Sequence, residues 1–445
     1  MDTSNRQHWS GRLAFILAAS GSAIGLGNVW KFPYIAGVNG GSAFVLVYLL
    51  CILAVGLPLM IAEIYIGKKS QKNSVNAFEE LHKKGSPWQG VGLIGMISCF
   101  LVLSFYSVVG GWVLDFEFRF LTGSFLSQSD EMVKSYFVNL VESRQGTQIF
   151  WHSIFIFATV GIVSKGVSDG LERWNKILMP ALFILLLFLF VYSLFLDGIG
   201  DSLRYLFLAD FSKLSWKAVL DAVGHSFFTL SLGMGSMIIY GSYLEKEGPV
   251  FRPALMVVFL DTFIALIAGV IIFSVVFTFG AEPSAGPGLM FITLPLLFKQ
   301  IPGSWFVSNA FFVLIAFAAL TSAISLLEVI VAYFIESRGW NRKKTTWIAG
   351  FVIWTCGILC AYPKLILMGG KNVFDLFDIF SSKIAMPIAG ILTSIFFGWI
   401  LGPVALEQAV GKCPRFLLIL LLWTLRIIAP IGVVIMLYKG VSELS

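Results

Sequence analysis

The stretch SAIGLGNVWKFPY, residues 22–34, contains Gly25, Gly27, Asn28 and Pro33 within an otherwise apolar segment. Glycine and proline disfavour a helix interior, and an asparagine side chain competes for backbone hydrogen bonds. A helix interrupted here would leave backbone amides and carbonyls without partners. Amides at the start of a half-helix suit a carboxylate, and carbonyls at the facing half-helix end suit a small hard cation such as Na⁺. The residue types therefore predict a site for a carboxylate and a cation.

A second apolar segment carries a matching interruption. The stretch HSFFTLSLGMGSMIIYGSY, residues 225–243, places Gly233 and Gly235 beside Thr229 and Ser231. Unwound backbone survives in a bilayer only where protein, an ion or a polar ligand satisfies it. Glycines also permit close packing of helices, and that alternative would explain one such segment on its own. Two interruptions at corresponding positions of two halves instead indicate a secondary transporter with inverted repeats and a site at the midplane.

The composition places both segments in a membrane protein. Hydrophobic residues make up 58% of the chain, charged residues only 13%, and the mean hydropathy is +0.87. Soluble domains are about 45–50% apolar and about 25% charged. Apolar runs of about 20 residues, enough to cross a bilayer, recur along the whole chain. We predict about eleven spans, at residues 12–36, 42–67, 90–122, 149–167, 177–196, 217–243, 252–279, 304–335, 346–362, 374–400 and 415–438.

Basic residues concentrate in alternate loops. The loops at residues 68–84, 165–176 and 337–344 are basic, and the loop at residues 127–134 is less so. The positive-inside rule places the basic loops and the amino terminus in the cytoplasm. An odd number of spans then makes the carboxyl terminus extracytoplasmic, in a multi-pass protein of the inner (plasma) membrane. Because loops that face anionic lipid account for the net charge of +6, no nucleic-acid partner is predicted.

Other function classes lack the residues that they need. The four histidines form no cluster, and the five cysteines show neither zinc nor disulfide spacing. A phosphate-binding GxxxxGK[ST] loop is missing, which argues against an ATP-driven pump. The chain has no repeated pore motif of the kind that a channel uses and no catalytic constellation, so we do not predict an enzyme.

Several long motifs occur in order along the chain: GSAIGLGNVWKFPY, NGGSAFVLVYLL, GLPLMIAEIYIG, FFTLSLGMGS and FAALTSAIS. Together they resemble the signature segments of the neurotransmitter:sodium symporter family, in its bacterial, amino-acid-transporting branch. The resemblance implies an all-α integral membrane protein of about eleven transmembrane helices, with helices one and six unwound. It divides the single transporter domain, residues 1–445, into inverted repeats at 12–196 and 217–400 and an additional transmembrane helix at 415–438.

The resemblance also implies two bound sodium ions. The first ion is expected at the Ala23 carbonyl, the Asn28 side-chain oxygen, the Thr229 carbonyl and hydroxyl, and Asp261, completed by the substrate carboxylate. The second is expected at the carbonyls of Gly21, Ile24 and Ala318 and the hydroxyls of Thr321 and Ser322. Substrate charge would neutralise the first ion in a low-dielectric site, so each should strengthen binding of the other.

Asp261 departs from the family pattern. The family more often has asparagine here and, in chloride-dependent members, serine four residues later, where this chain has Ala265. Because an intramembrane carboxylate is costly, it indicates function. We interpret Asp261 as a fixed negative charge that replaces chloride, and we expect it to take up a proton when sodium and substrate leave. Tyr48 and His225 match neighbours of the family's anion site, and for His225 a functional role and simple packing stay equally open.

Gly25 stands where monoamine-transporting relatives have an aspartate, so the substrate is expected to bring its own carboxylate. The resemblance implies an α-amino acid whose carboxylate meets the amides of Leu26 and Gly27 and the hydroxyl of Tyr106. Mostly apolar residues would surround its side chain, which favours a neutral, hydrophobic or aromatic amino acid. The implied substrate-binding residues are Ser22, Ala23, Leu26, Gly27, Val102, Tyr106, Phe228, Thr229, Ser231, Met234, Ser322 and Leu326.

Gates on both sides of the substrate are implied in the same way. Tyr106 and Phe228 form an aromatic lid, with Lys31 and Asp378 paired outside it. On the cytoplasmic side Arg6 pairs with Glu336. Trp9, Ser242 and Tyr243 are expected to support the pair of Arg6 and Glu336. Glu63 is expected to hydrogen-bond the unwound part of helix six.

Two alternatives to a sodium symporter of amino acids stay open from the sequence. Asp261 could titrate instead of partnering sodium, which would make the protein a proton-coupled amino-acid transporter. A sensor that binds an amino acid without transporting it would carry the same motifs. The motifs do not predict the oligomeric state.

Overall fold

A computed structural model describes residues 7–208, 210–283, 288–367 and 369–442 of the chain. Within these residues, eight helices are long and apolar enough to cross a membrane, and a bent pair adds a ninth. The interrupted helix α6 and helix α9 bring the total to the predicted eleven. The membrane helices are α1a (Arg12–Ala23), α1b (Gly27–Val38), α2 (Ser42–Ser70), α3 (Gln89–Leu121), α4 (Gln145–Val163), α5 (Val167–Ser193), α6a (Trp216–Thr229), α6b (Ser236–Ser242), α7 (Phe251–Thr278), α8 (Ser304–Arg338), α9 (Arg342–Cys360), α10 (Val373–Val410) and α11 (Arg415–Ile435).

Helix α5 begins ten residues before the predicted start at 177. Its first two turns contain charged residues, which the hydropathy pattern assigned to a loop. In the structure the Glu172 carboxylate accepts hydrogen bonds from the Ser10 amide at 2.9 Å and from the Lys176 ammonium at 2.5 Å. Because these charges are paired, the helix extends through them.

Among the described residues, three further helices of eight or more residues lie outside the membrane spans and were not predicted. Asp130–Ser143 and Ile199–Phe207 fall between predicted spans, and Leu289–Phe298 precedes α8. All three are shorter than about 20 residues, so a search for bilayer-length apolar runs misses them.

Both predicted helix breaks are present. Helices α1a and α1b meet at an angle of 48°, and Ile24 in the break is extended, with ψ of 102°. Between α6a and α6b, Ser231, Gly233 and Gly235 have positive φ angles of 53°, 74° and 79°. Glycine adopts this left-handed backbone without a steric penalty, so the two glycines permit the chain to unwind here.

Close packing holds the segments around the break in α6. A Cβ atom at Gly67 of α2 would collide with the Ile238 carbonyl, and one at Gly241 would collide with the Ile64 carbonyl. These two glycines therefore allow the backbones of α2 and α6b to approach each other. Glu63, also on α2, accepts a hydrogen bond from the Gly233 amide at 2.7 Å, which confirms the predicted contact between Glu63 and the unwound backbone.

Candidate functional site

One narrow cavity lies where the breaks in α1 and α6 face α3 and α8. All twelve residues predicted to bind substrate line it, and Gly25 is the thirteenth lining residue. The two breaks contribute its backbone surface, while Val102 and Tyr106 of α3 both face it, as their spacing of four residues requires. The structure thus brings together residues from four separated parts of the sequence.

The polar end of this cavity is formed by the break in α1. The Leu26 amide donates to the Tyr106 hydroxyl at 3.2 Å, and the Gly25 amide donates to Asn28 Oδ1 at 3.0 Å. Ser231 of the α6 break donates its hydroxyl to the Ser22 carbonyl at 2.9 Å. Side chains of α1b itself, of α3 and of the α6 break therefore satisfy backbone groups at the break in α1, as unwound backbone inside a membrane requires.

Gly25 leaves no room for a side chain. A Cβ atom at this position would lie 2.5 Å from Ser322 Oγ and 2.9 Å from the Tyr106 hydroxyl. Both distances are shorter than van der Waals contact, so an aspartate side chain would not fit at this position. The remaining wall is apolar, with Val102, Met234 and Leu326 each buried.

A first oxygen cluster, formed by Asn28, Thr229 and Asp261, joins the two breaks to α7. Asn28 Nδ2 donates to Asp261 Oδ1 at 2.7 Å and to the Asp261 carbonyl at 3.0 Å. The Thr229 hydroxyl donates to Asp261 Oδ1 at 3.1 Å. Asp261 is fully buried, and none of the ion pairs within the described residues includes it.

The charge of this cluster suits a cation. A buried carboxylate without a partner of opposite charge is unfavourable in a low-dielectric interior. Two neutral hydrogen-bond donors hold Asp261, and neither supplies a positive charge. A sodium ion bound by Asp261, Thr229 and the Ala23 carbonyl, as predicted, would provide it, although Asn28 Oδ1, also predicted as a ligand, here accepts from the Gly25 amide.

A second oxygen cluster lies between α1a and α8. Ser322 Oγ is 3.4 Å from the Gly21 carbonyl oxygen, 3.1 Å from that of Ser22 and 3.4 Å from that of Ile24. The Thr321 hydroxyl lies 3.0 Å from the Ala318 carbonyl oxygen. The structure thus brings together all the residues predicted for the second ion: Gly21, Ile24, Ala318, Thr321 and Ser322.

The outer side differs from the predicted gate. Lys31 and Asp378 line one cavity of about 280 Å³, but none of the described ion pairs joins them. The Lys31 ammonium instead lies 4.0 Å from the centre of the Phe228 ring, and Asp378 accepts a hydrogen bond from Ser382. A flexible ammonium can rest on an aromatic face at little cost, whereas a guanidinium is built for bidentate pairing.

The inner side is closed by the segment that precedes α1a. The Trp9 indole donates to the Tyr240 carbonyl at 2.9 Å, and its ring contacts Tyr240 and Tyr243 edge to face. Glu336 accepts a hydrogen bond from the Asn73 amide at 2.6 Å. Arg6, the predicted partner of Glu336, lies outside the described residues.

A buried acidic residue below the cavity was not predicted. Glu328 of α8 is fully buried, forms an ion pair with Arg342 and accepts a hydrogen bond from the Tyr243 hydroxyl at 2.5 Å. The sequence alone could have identified Glu328, because an isolated charge within an apolar membrane helix indicates function or pairing. Arg342 carried no comparable signal, since it lies in a basic loop segment.

His225 and Tyr48 pack together beside the first oxygen cluster. Their ring centroids are 5.3 Å apart and both side chains are buried. Neither ring nitrogen of His225 has a hydrogen-bond partner within the described residues, and His225 also lines the outer cavity. The residue therefore lies at the wall of that cavity, in contact with the rings of Phe32 and Tyr48.

Similarity to known proteins agrees with this architecture. A family model described as the Sodium:neurotransmitter symporter family matches residues 6–136 and 126–445. An uncharacterized sodium-dependent transporter of Bacillus subtilis (strain 168), YhdH, is 38% identical over 392 residues, which cover 87% of this chain and 86% of that protein. An uncharacterized sodium-dependent transporter of Methanocaldococcus jannaschii, MJ1319, is 33% identical over 433 residues, covering 93% and 85%.

A solved structure is also similar. The crystal structure of MhsT in complex with L-phenylalanine superposes with a TM-score of 0.90 at 42% sequence identity, covering 98% of this chain and 100% of that chain. Together with the extended match to the family model, this likeness shows that the chain is a membrane transporter rather than an enzyme, and that it belongs to the sodium:neurotransmitter symporter family.

Proposed function

We propose that this protein is a sodium-coupled symporter that imports a neutral α-amino acid with a hydrophobic or aromatic side chain by alternating access. One observation carries the proposal: a single cavity at the two helix breaks has a polar end and an apolar wall. An α-amino acid has the same division, with its charged groups at one end and its side chain at the other. The polar end would hold the former and the apolar wall the latter.

The polar end supports binding of a carboxylate and an amine. The amides of Leu26 and Gly27 lie at the start of a half-helix, beside the Tyr106 hydroxyl, and favour negative charge. The amine would meet backbone carbonyls of the two breaks, at Ala23, Phe228, Thr229 and Ser231. Since a side chain at Gly25 would collide with Tyr106 and Ser322, no protein carboxylate competes there for the amine.

The apolar wall supports a hydrophobic or aromatic substrate. Val102, Phe228, Met234 and Leu326 are the large apolar side chains that line the cavity, and a methionine can repack around side chains of different shape. L-Phenylalanine is the molecule bound to MhsT in the structure that resembles this one. A neutral aromatic or branched amino acid is therefore the substrate class that we propose.

Two sodium ions would bind, one at each oxygen cluster. The first would be shared with the substrate carboxylate, so that neither binds well alone. Asp261 would supply the fixed negative charge that makes chloride unnecessary, and would take up a proton for export when the ion and the substrate have left. Lys31, Tyr106, Phe228 and Asp378 would close the outer side, and Arg6 with Glu336 the inner side.

The placement in the membrane is proposed from the loop charges. The amino terminus would be cytoplasmic and the carboxyl terminus extracytoplasmic, in the inner membrane. The breaks in α1 and α6 would be equivalent points of two inverted repeats, residues 12–196 and 217–400. Reporter fusions at each terminus test the orientation, because a cytoplasmic carboxyl terminus would contradict eleven spans.

The deciding experiment is uptake into proteoliposomes. We would offer labelled leucine, phenylalanine, tryptophan, tyrosine, alanine, glutamate and GABA, with an inward sodium, potassium or proton gradient applied separately. We expect concentrative uptake of one or more neutral hydrophobic amino acids under the sodium gradient only, unchanged when chloride is replaced by gluconate. Strict dependence on chloride would contradict the role proposed for Asp261.

The same assay separates the two alternatives. Equal uptake under a proton gradient without sodium would indicate proton coupling. An amino acid that binds to the detergent-solubilised protein, but neither accumulates nor exchanges across the vesicle membrane, would indicate a sensor. Uptake of GABA but of no α-amino acid would refute the proposed reading of the cavity.

A further inference from the structure

Asn175, on α5, is a buried polar residue to which the transport mechanism above gives no part. Its side chain is fully buried, and its Nδ2 donates to the Leu171 carbonyl at 2.8 Å, one turn earlier in the helix. That bond fixes the amide plane and directs Oδ1 away from its own helix. Oδ1 has no hydrogen-bond partner within the described residues. A buried amide oxygen without a partner is costly, so each case requires an explanation.

The unpaired oxygen lies against Gly21, a member of the second oxygen cluster. A Cβ atom built on Gly21 would collide with Asn175 Oδ1 and would lie 3.2 Å from both Met179 Sδ and Thr321 Cβ. Oδ1 therefore occupies the place where a side chain at position 21 would begin, on the side of Gly21 where Thr321 also lies. This contact also explains the glycine, because any side chain there would displace the side chains of Asn175, Met179 or Thr321.

We propose that Asn175 is the contribution of α5 to the second sodium site, through a water molecule that coordinates the ion and donates a hydrogen bond to Oδ1. The inference rests on the proposed function, since the second cluster is an ion site only in a sodium symporter. Gly21, Ile24, Ala318, Thr321 and Ser322 offer oxygens from α1a and α8 alone. Asn175 adds an acceptor from a third helix.

The chemistry of this arrangement is consistent. A water molecule bound to Na⁺ presents its hydrogens outward, where an amide oxygen is a suitable acceptor and an amide nitrogen is not. Because Nδ2 is held by the Leu171 carbonyl, the side chain offers the ion side only the acceptor. Water-mediated contacts of this kind are nearly as favourable as direct ones. Asn175 is thus a positioning residue that acts on sodium through water.

The test measures sodium binding without amino acid. The first site lacks its substrate carboxylate under that condition, so sodium-dependent stabilisation reports chiefly the second site. Thermal unfolding of the full-length protein in detergent is followed while Na⁺ replaces K⁺ at constant ionic strength. We expect N175L, which keeps the branched outline of the side chain but removes the oxygen, to raise the sodium concentration of half-maximal stabilisation by about three- to tenfold, the effect of one lost hydrogen bond.

Asn309 on α8 provides a matched control. It is buried, its Nδ2 donates to the Trp305 carbonyl one turn earlier, and its Oδ1 is also without a partner within the described residues. It lies twelve residues before Thr321, about 18 Å along the helix. We expect N309L to keep the wild-type sodium midpoint. N309L should also keep wild-type stability in potassium and wild-type amino-acid affinity at saturating sodium.

Each result has a definite meaning. If N175L does not fold, N175A replaces it in the test. A wild-type sodium midpoint in whichever of the two variants is tested would overturn the inference. An equal shift in N309L would also overturn it, because the effect would then follow from loss of any buried asparagine. If sodium neither stabilises the wild-type protein nor drives uptake, the proposed function fails, and this inference fails with it.

Discussion

The two oxygen clusters lie against the same break in α1, but they differ in charge. The first contains the buried carboxylate of Asp261, held by Asn28 and Thr229. The second is built from neutral hydroxyl and carbonyl oxygens, arranged around Ser322 and Thr321. A sodium ion at the first cluster would therefore be neutralised by the protein, whereas an ion at the second would be held by dipoles alone.

Both clusters reach the cavity, through Thr229 of the first and Ser322 of the second. The Ser22 carbonyl connects them, since it accepts hydrogen bonds from Ser231 of the α6 break and from Ser322 of α8. From the difference in charge we infer different roles, in which the first cluster couples the ion to the substrate carboxylate and the second stabilises the packing of α1a on α8. Four substitutions test this division.

The largest effect is expected for D261N, which removes the only charge of the first cluster. We expect sodium-driven uptake to fall by about 100-fold or more, because removal of one partner of a buried ion pair typically costs about 3–5 kcal/mol. Sodium-dependent stabilisation without amino acid should be retained. Initial rates of uptake and thermal unfolding in sodium and potassium measure the two effects. D378N, which removes the carboxylate that lines the outer cavity, is the control. An equal loss of sodium-driven uptake in D378N would show that Asp261 has no special role.

A second substitution, G25A, tests the cavity between the clusters. The added methyl group would lie 2.5 Å from Ser322 Oγ and 2.9 Å from the Tyr106 hydroxyl. Overpacking of this kind costs about 1–3 kcal/mol, so amino-acid affinity should fall by about 10- to 100-fold. Equilibrium binding of a labelled amino acid at saturating sodium measures this affinity. G90A is the control, because a Cβ at Gly90 has no neighbour within 4 Å. Undiminished binding by G25A would place the substrate elsewhere.

T321V removes one hydroxyl of the second cluster while preserving the shape of the side chain. We expect the sodium concentration of half-maximal thermal stabilisation without amino acid to rise by about tenfold, as for loss of one hydrogen-bonding group near a charge. T346V, at another buried threonine that bonds the carbonyl one turn earlier, is the matched control. If T321V left sodium stabilisation unchanged but abolished the coupling to substrate, the proposed roles of the two clusters would be reversed.

The smallest effect is expected for K31M, on the outer side of the cavity. Loss of the ammonium from the Phe228 ring should increase the dissociation rate of bound amino acid by about two- to fivefold, the size of an exposed cation–π contact of about 0.5–1 kcal/mol. Dilution of pre-bound labelled substrate measures this rate. K31R should restore it partly, and sodium stabilisation without amino acid should not change. A loss of sodium-driven uptake as large as that expected for D261N would instead assign Lys31 to the ion site.

Much of this architecture could be predicted from the sequence. The number of spans follows from the length of the apolar runs. Both helix breaks and the contact of Glu63 with the α6 break follow from the rule that unwound backbone in a membrane needs polar partners. The start of α5 was placed too late, because hydropathy treats Glu172 and Lys176 as loop charges although they pair with each other. Short helices outside the bilayer were missed for the opposite reason, since they carry no long apolar run.

The outer gate illustrates a limit of residue-by-residue transfer from a family pattern. Lys31 and Asp378 were expected to pair because of their positions, and both do line the same cavity. Which partner a flexible lysine contacts depends on differences of about 1 kcal/mol between an exposed ion pair and an aromatic face. The contact of Lys31 with Phe228 is therefore decided by how the whole protein packs.

The sequence by itself determined where the chain spans the membrane and where two helices must break, because hydrophobic length and glycine placement act locally. Only the tertiary structure decided which distant side chains meet: Asp261 with Thr229, Glu328 with Arg342, and Asn175 with Gly21. Those contacts depend on how helices rotate and approach one another. Packing sets that geometry over the whole bundle, and no single segment encodes it.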